Sequence, residues 1–154
     1  MGTLQHIEHQ ISAINDLIKI NNDRIAGYQK ALSTGTDADL QTLFEKYIQQ
    51  SQDAVRKLHE QIHTLGGLPS DGTTVAGKFY RTWMDVKSVF SGPDRYAILS
   101  DCERGEDVAK GAYRLALDDK ELIWEDPALV KLLTGQFDDL KAAHDEVKAL
   151  RDAK

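Results

Sequence analysis

The stretch RKLHEQIHTLGG contains His59-Glu60-Gln61-Ile62-His63. This is the H-E-x-x-H spacing that, in a zinc peptidase, puts two imidazoles on one helical face and supplies a glutamate to polarise the metal-bound water. A second set of residues with chemical potential is dispersed along the chain: His144, Glu106, Glu103 and Asn22. One imidazole, two carboxylates and an amide suit a single divalent ion such as zinc, iron or manganese. Which set can act depends on where the helices that carry them turn each side chain.

The elements can be read from punctuation and period. Pro69, Pro93, Pro127 and the Gly66-Gly67 pair all fall between long periodic segments, where helix breakers belong. From about Leu4 to Leu32 the first segment repeats Leu4, Ile7, Ile11, Ile14, Ile18, Ile25 and Leu32 at helical spacing. The second begins after the cap-like Thr36-Asp37, carries Leu40, Leu43, Phe44, Tyr47, Val55, Leu58, Ile62 and Leu65, and stops at Gly66-Gly67. The third follows Pro93-Asp94 with Ile98, Leu99, Cys102, Ala109, Tyr113 and Ala116 inward. The fourth opens at Asp126-Pro127 and continues through Leu129, Leu133, Phe137, Leu140, Val147 and Arg151. No segment alternates with period two, so the expected fold is all-α, one antiparallel four-helix bundle over residues 1–154. The connection from Gly67 to Pro93 is far longer than a tight turn needs. Its own amphipathic stretch, Val75, Phe79, Trp83, Val86 and Phe90, predicts an extra short helix. The connection can then run the length of the bundle and start the third helix at the end opposite to where the second stops.

Composition narrows the partners. With 41% hydrophobic and 29% charged residues and a net charge of -6, the basic footprint of a nucleic-acid or anionic-membrane binder is missing. No stretch approaches the roughly 20 apolar residues that span a bilayer, and no signal-like segment opens the chain. A cytoplasmic protein with no membrane and no nucleic-acid partner is expected. The single cysteine, Cys102, excludes an internal disulfide and any Cys-rich zinc module, and its inward position reads as a small core hydrophobe. Gly27, Gly111 and Gly135 fall on outward faces, where close approach of a second copy, a homodimer, would account for them.

At about 100° per residue, with Leu58 at zero, His59 falls near 100°, His63 near 140° and Glu60 near 200°. The peptidase-like motif therefore faces the flank and outside of its helix, which ends within a turn. Solvated histidines, or at most a surface chelate, are the reading; His6 and His9 are read likewise. The residues that interrupt the apolar stripes from inside carry more information. On the fourth helix, with Leu133 at zero, His144 lies near 20°; on the third, with Cys102 at zero, Glu106 lies near 40° and Glu103 near 100°. On the first helix, with Ile18 at zero, Asn22 lies near 40°, and Ser51 interrupts the second, with Gln50 at its edge. At about 1.5 Å per residue, with the first and fourth helices running up and the second and third down, Asn22, Ser51, Glu106 and His144 reach one mid-bundle layer. A buried Glu106 needs a partner: a metal shared with His144, or a metal-free cluster in which His144 hydrogen-bonds Glu106 and Asn22.

Two antiparallel helix pairs, a long crossover and a polar mid-layer resemble the ferritin-like superfamily. The stretches NDLIKINNDRIAGYQKAL, WMDVKSVFSG, DCERGED and LKAAHDEVKALRDA are similar to a bacterial family of small four-helix-bundle proteins without an assigned function, over nearly the whole chain. The resemblance implies a ferritin-like fold and, loosely, a stress-related role. Di-iron members of the superfamily take one Glu from each of two helices and Glu-x-x-His from each of the other two. This chain departs from that pattern: Asn22 or Asp23 stands where the first helix would supply a Glu, the second offers Gln50 and Ser51, and Lys141 precedes His144 by three. The expectation is a non-catalytic bundle with a degenerate site, His144, Glu106, Glu103 and Asn22, for one divalent metal. A metal-free structural or interaction bundle is the alternative, and di-iron redox chemistry the third reading.

Overall fold

The computed structural model describes residues 2–34, 37–69, 94–122 and 124–153. Four helices carry them: α1, Gly2–Leu32; α2, Ala38–Thr64; α3, Arg95–Asp118; and α4, Pro127–Asp152. No strand occurs among the described residues, so the fold is an all-α bundle. The stretch Val75 to Phe90, expected to add a short helix, lies outside them.

Local chemistry sets the ends. Asp94 and Asp126 accept from the backbone N–H of Tyr96 (3.0 Å) and Ala128 (2.9 Å), capping α3 and α4, and Pro127 opens α4 where no intrahelical N–H is needed. Asp37 caps α2 by backbone conformation alone, because its carboxylate accepts from Arg95 of α3 instead. α2 closes with Gly66 at φ +83°. Gly67 N–H donates to the Ile62 carbonyl and Gly66 N–H to that of His63, the paired bonds that consume orphan carbonyls at a helix end. A Cβ on Gly67 would come within 2.9–3.2 Å of the Ile11 side chain, so the turn after α2 packs directly on α1.

Each helix buries a stripe at three- and four-residue spacing. The stripes are Ile14, Leu17, Asn21, Arg24, Tyr28 and Ala31 on α1; Leu40, Phe44, Tyr47, Ser51, Ala54, Leu58 and Ile62 on α2; Leu99, Cys102, Glu106, Ala109, Tyr113 and Ala116 on α3; and Leu129, Leu133, Gln136, Leu140, Ala143 and Val147 on α4. This is the seam of knobs-into-holes bundles, and each helix places one or two polar residues in it. On α1 the seam lies roughly 80° from the isoleucine stripe read from sequence; Ile14 and Ile18 of that stripe are fully buried, whereas Ile11, Ile25 and Leu32 are only half-buried at the edge. Gly27, expected outside, is buried, whereas Gly111 is half-buried and Gly135 exposed.

Cross-helix contacts fix the directions. Asn21 meets Tyr113 while Arg24 meets Glu106, so α1 and α3 are antiparallel. Arg24 and Asn21 reach Ser51 on α2 while Asn15 reaches Leu68 beyond it, an antiparallel pair; Tyr113 with Gln136 and Glu103 with His144 make α3 and α4 another. Arg95 at the start of α3 pairs with Asp37 and Asp39 at the start of α2, so these two helices run the same way. α2 therefore stops at the opposite end from where α3 begins, as expected from the long connection.

Gly66 is exposed and a Cβ there would meet nothing within 4 Å, so Gly66→Ala isolates backbone strain. A loss of about 1–2 kcal/mol is expected, read as a lower urea midpoint at unchanged m-value.

Candidate functional site

At mid-height the α1 seam brings Arg24 against Glu106 of α3, with 1% and 0% of the side chains exposed. The contact is bidentate: Arg24 Nε donates to Oε1 at 2.7 Å and Nη2 to Oε2 at 2.8 Å. Nη1 donates to the Tyr47 carbonyl at 3.2 Å and to Ser51 Oγ at 2.9 Å, both on α2. Tyr28 adds its hydroxyl to Glu106 Oε2 at 3.0 Å. The guanidinium carbon lies 5.4 and 5.2 Å from the Tyr28 and Tyr47 ring centroids, within cation–π range. Burial works against the Arg24 charge, but the Glu106 carboxylate and its hydrogen bonds outweigh it and hold the guanidinium above its ordinary range.

From Arg24 a chain of hydrogen bonds runs outward. Ser51 Oγ donates to Asn21 Oδ1 (2.9 Å), Asn21 Nδ2 to Tyr113 Oη (2.8 Å), and Tyr113 Oη to Gln136 Oε1 (2.7 Å). All four helices thus contribute to the polar layer. Its members differ from the expected ones: Asn21 replaces the half-buried Asn22, Gln136 replaces His144, and Arg24 was not anticipated.

Glu106 therefore does not join His144. The His144 side chain, 12% exposed, turns to the α3–α4 flank, where its Nε2 lies 3.1 Å from Asp107 Oδ1 and 3.5 Å from Glu103 Oε1. Its Nδ1 is 3.0 Å from Asp145 Oδ1. Arg151 Nη1 binds the other oxygen of Glu103. Of the four expected metal ligands the fold brings two together, His144 and Glu103. It adds Asp107, one turn after Glu103 on α3, and places Glu106 with Arg24 and Asn22 outside the group. Among the described residues, this trio is the group of three such donors that converges. Glu106, the carboxylate of the central layer, is already matched by a side-chain cation and is not free to ligate a pair of irons there. Of the H-E-x-x-H residues Glu60 and His63 are exposed as expected, whereas His59 is half-buried with its Nε2 shut off from solvent and unpartnered; α2 ends at Thr64. Cys102 is buried, with its thiol pushed well up by burial and by the neighbouring Glu106 charge.

A four-helix bundle, closed at its centre by an ion pair and carrying an imidazole–carboxylate group on one seam, is the class these observations define. The chain belongs to the family described as Domain of unknown function (DUF2383), whose model matches residues 9–119. No curated protein matches it. No helix among the described residues is long and apolar enough to cross a membrane.

Burial raises the Tyr28, Tyr47 and Tyr113 hydroxyls and the Cys102 thiol far above their ordinary ranges. A group raised in the folded state keeps its proton there while the unfolded chain releases it, so the folded state loses ground as pH rises past the unfolded values of about 8.5 for Cys and 10 for Tyr. These three phenols should ionise only together with loss of helical signal in an alkaline titration followed at 295 nm and 222 nm. Ionisation of all three with helicity intact would show the burial to be wrong.

Proposed function

We propose that this bundle is a non-catalytic module that binds one divalent cation of the zinc class at His144, Glu103 and Asp107, on the seam of α3 and α4. One observation carries the reading. Asp145 is a carboxylate and can only accept, so in the tautomer that answers it Nδ1 carries the imidazole proton. Nε2 then turns its lone pair on two further carboxylate oxygens. Three acceptors facing one another need positive charge between them, a bound cation or a proton. The separations from Nε2, 3.1 and 3.5 Å, bracket the roughly 3.3 Å edge of a tetrahedron with zinc-type bond lengths. Asp145 behind the imidazole is the outer-shell carboxylate that orients metal-bound histidines. Arg151 occupies the far oxygen of Glu103 and leaves the near one to the site. Glu103 and Asp107 also face an open groove of about 610 Å³ together with Tyr96, Ser100 and Arg104, which suits an exchangeable ion. The bound ion would supply Lewis acidity; the chain's own residues hold it and keep it open to solvent.

A ferritin-like relationship and a stress-related role belong to the same reading. The shared direction of α2 and α3 supports the first, and the sequence resemblance supports both. The second functional reading is a metal-free bundle in which a proton takes the cation's place, making His144 an imidazolium clamp between the two helices; its Asp107 separation of 3.1 Å is also hydrogen-bonding distance.

Chelator-treated, untagged protein titrated with zinc by calorimetry should bind one ion per chain. His144→Ala and Asp107→Asn should abolish binding, and Asp145→Asn should weaken it about 10–100-fold. Affinity should fall on acidification, because proton and metal compete for Nε2. No stoichiometric binding, or binding unchanged in His144→Ala, would reject the metal; a His144→Leu variant as stable as the parent would then mark the cluster as dispensable.

A further inference from the structure

On the side of the bundle away from the His144 group, the small side chain of Ala54 in the α2 seam leaves a cleft between α2 and α4 of about 130 Å³. Its walls are Gln50, Asp53, Ala54 and Lys57 of α2 and Gln136, Asp139 and Leu140 of α4. Its floor is Asn21, Arg24 and Tyr113. One water needs roughly 10–15 Å³ by such a measure, so the space admits a molecule of several heavy atoms.

The polar layer dictates what the cleft offers. Arginine can only donate, so Arg24 makes Ser51 Oγ an acceptor at that contact and sends the Ser51 proton to Asn21 Oδ1. Asn21 must then present its amino group, which donates to Tyr113 Oη and to the Leu17 carbonyl. The Tyr113 proton goes to Gln136 Oε1. The orientation of the Gln136 amide is thereby fixed from the far end of the chain, and successive bonds polarise one another in the same sense. Gln136 is nine-tenths buried, and its Nε2 has no hydrogen-bond partner. Across the cleft the buried Oε1 of Gln50 also has none. Buried polar atoms of this kind call for a partner.

We propose that the α2–α4 cleft binds a carboxamide, whose carbonyl accepts from Gln136 Nε2 while its N–H donates to Gln50 Oε1. A neutral group fits better than an ion. The Arg24 charge is matched by Glu106, and the mouth carries both signs, Lys57 against Asp53 and Asp139. The site is separate from His144 and stands whether or not that cluster holds a metal.

The test uses the full ¹⁵N-labelled chain with acetamide as probe, and acetate and methylammonium as charged controls. The Gln136 side-chain amide resonances should shift saturably with acetamide and not with either control. In Gln50→Leu, which leaves the reporter intact at a half-buried position, half-saturation should move about tenfold higher, as loss of one hydrogen bond to a buried group requires. In Gln136→Leu the saturable shift of the Phe137 backbone amide should vanish. A capped glutamine peptide saturating below acetamide would assign the carboxamide to a protein side chain, and the reverse order to a free small molecule. Shifts that grow linearly without saturation, a curve unchanged in Gln50→Leu, or preference for acetate would overturn the proposal and leave the cleft to water.

Discussion

A guanidinium and a carboxylate taken out of water at the centre of the bundle constrain the rest of the structure. Neither charge is tolerated there alone; a buried ion left without its partner costs several kcal/mol, a large share of the stability of a domain this size. Each hydrogen-bonding edge used by Arg24 is met from a different direction: Glu106 from α3, and Ser51 and the Tyr47 carbonyl from α2. Tyr28 and Tyr47 cover the guanidinium and exclude solvent. Such pairs add little net stability over an apolar substitute, but removing one partner is severe.

The pair also restricts how the helices can register. Seams with three- and four-residue spacing leave neighbouring helices able to slide by a heptad at modest apolar cost. A one-heptad slip of α3 along α1 would set Glu106 against the level of Leu17 or Ala31 and leave both charges buried without partners. From this point the polar layer extends through Ser51, Asn21 and Tyr113 to Gln136, so every helix is tied to the same height. The centre of the bundle is thereby occupied by an internal cation, and among the described residues the imidazole and carboxylates that converge lie on the α3–α4 flank.

Much of this was legible in the sequence. Proline, glycine and aspartate punctuation located all four helices, and the length of the second connection implied the shared direction of α2 and α3. Helical rise placed a polar layer at mid-height and named Ser51 and Glu106 in it. The inward face of α1 was harder to read. Its isoleucines form one stripe, whereas the buried seam runs through Ile14, Leu17, Asn21, Arg24, Tyr28 and Ala31, where polar and aromatic residues alternate with aliphatic ones. Counting apolar residues alone pulls the helix roughly 80° off and hides Arg24, the partner that Glu106 required. The strict three-four spacing of that series, matched on α3 by Leu99, Cys102, Glu106, Ala109 and Tyr113, was the available signal. On α4 a smaller shift, roughly 30°, puts Gln136 rather than Phe137 in the seam and moves His144 to the flank. Asp107 was missed because it is half exposed; only the position of α4 shows that it meets the same imidazole as Glu103.

The most direct measurement is a double-mutant cycle on the central pair, with Arg24→Met, Glu106→Leu and the double variant compared by urea unfolding. A buried, mutually compensated pair requires each single substitution to cost about 3–5 kcal/mol and the double to cost no more than either one. Small and additive effects, with each single below about 1 kcal/mol, would mean that the two charges are solvated and that the bundle is not organised around them.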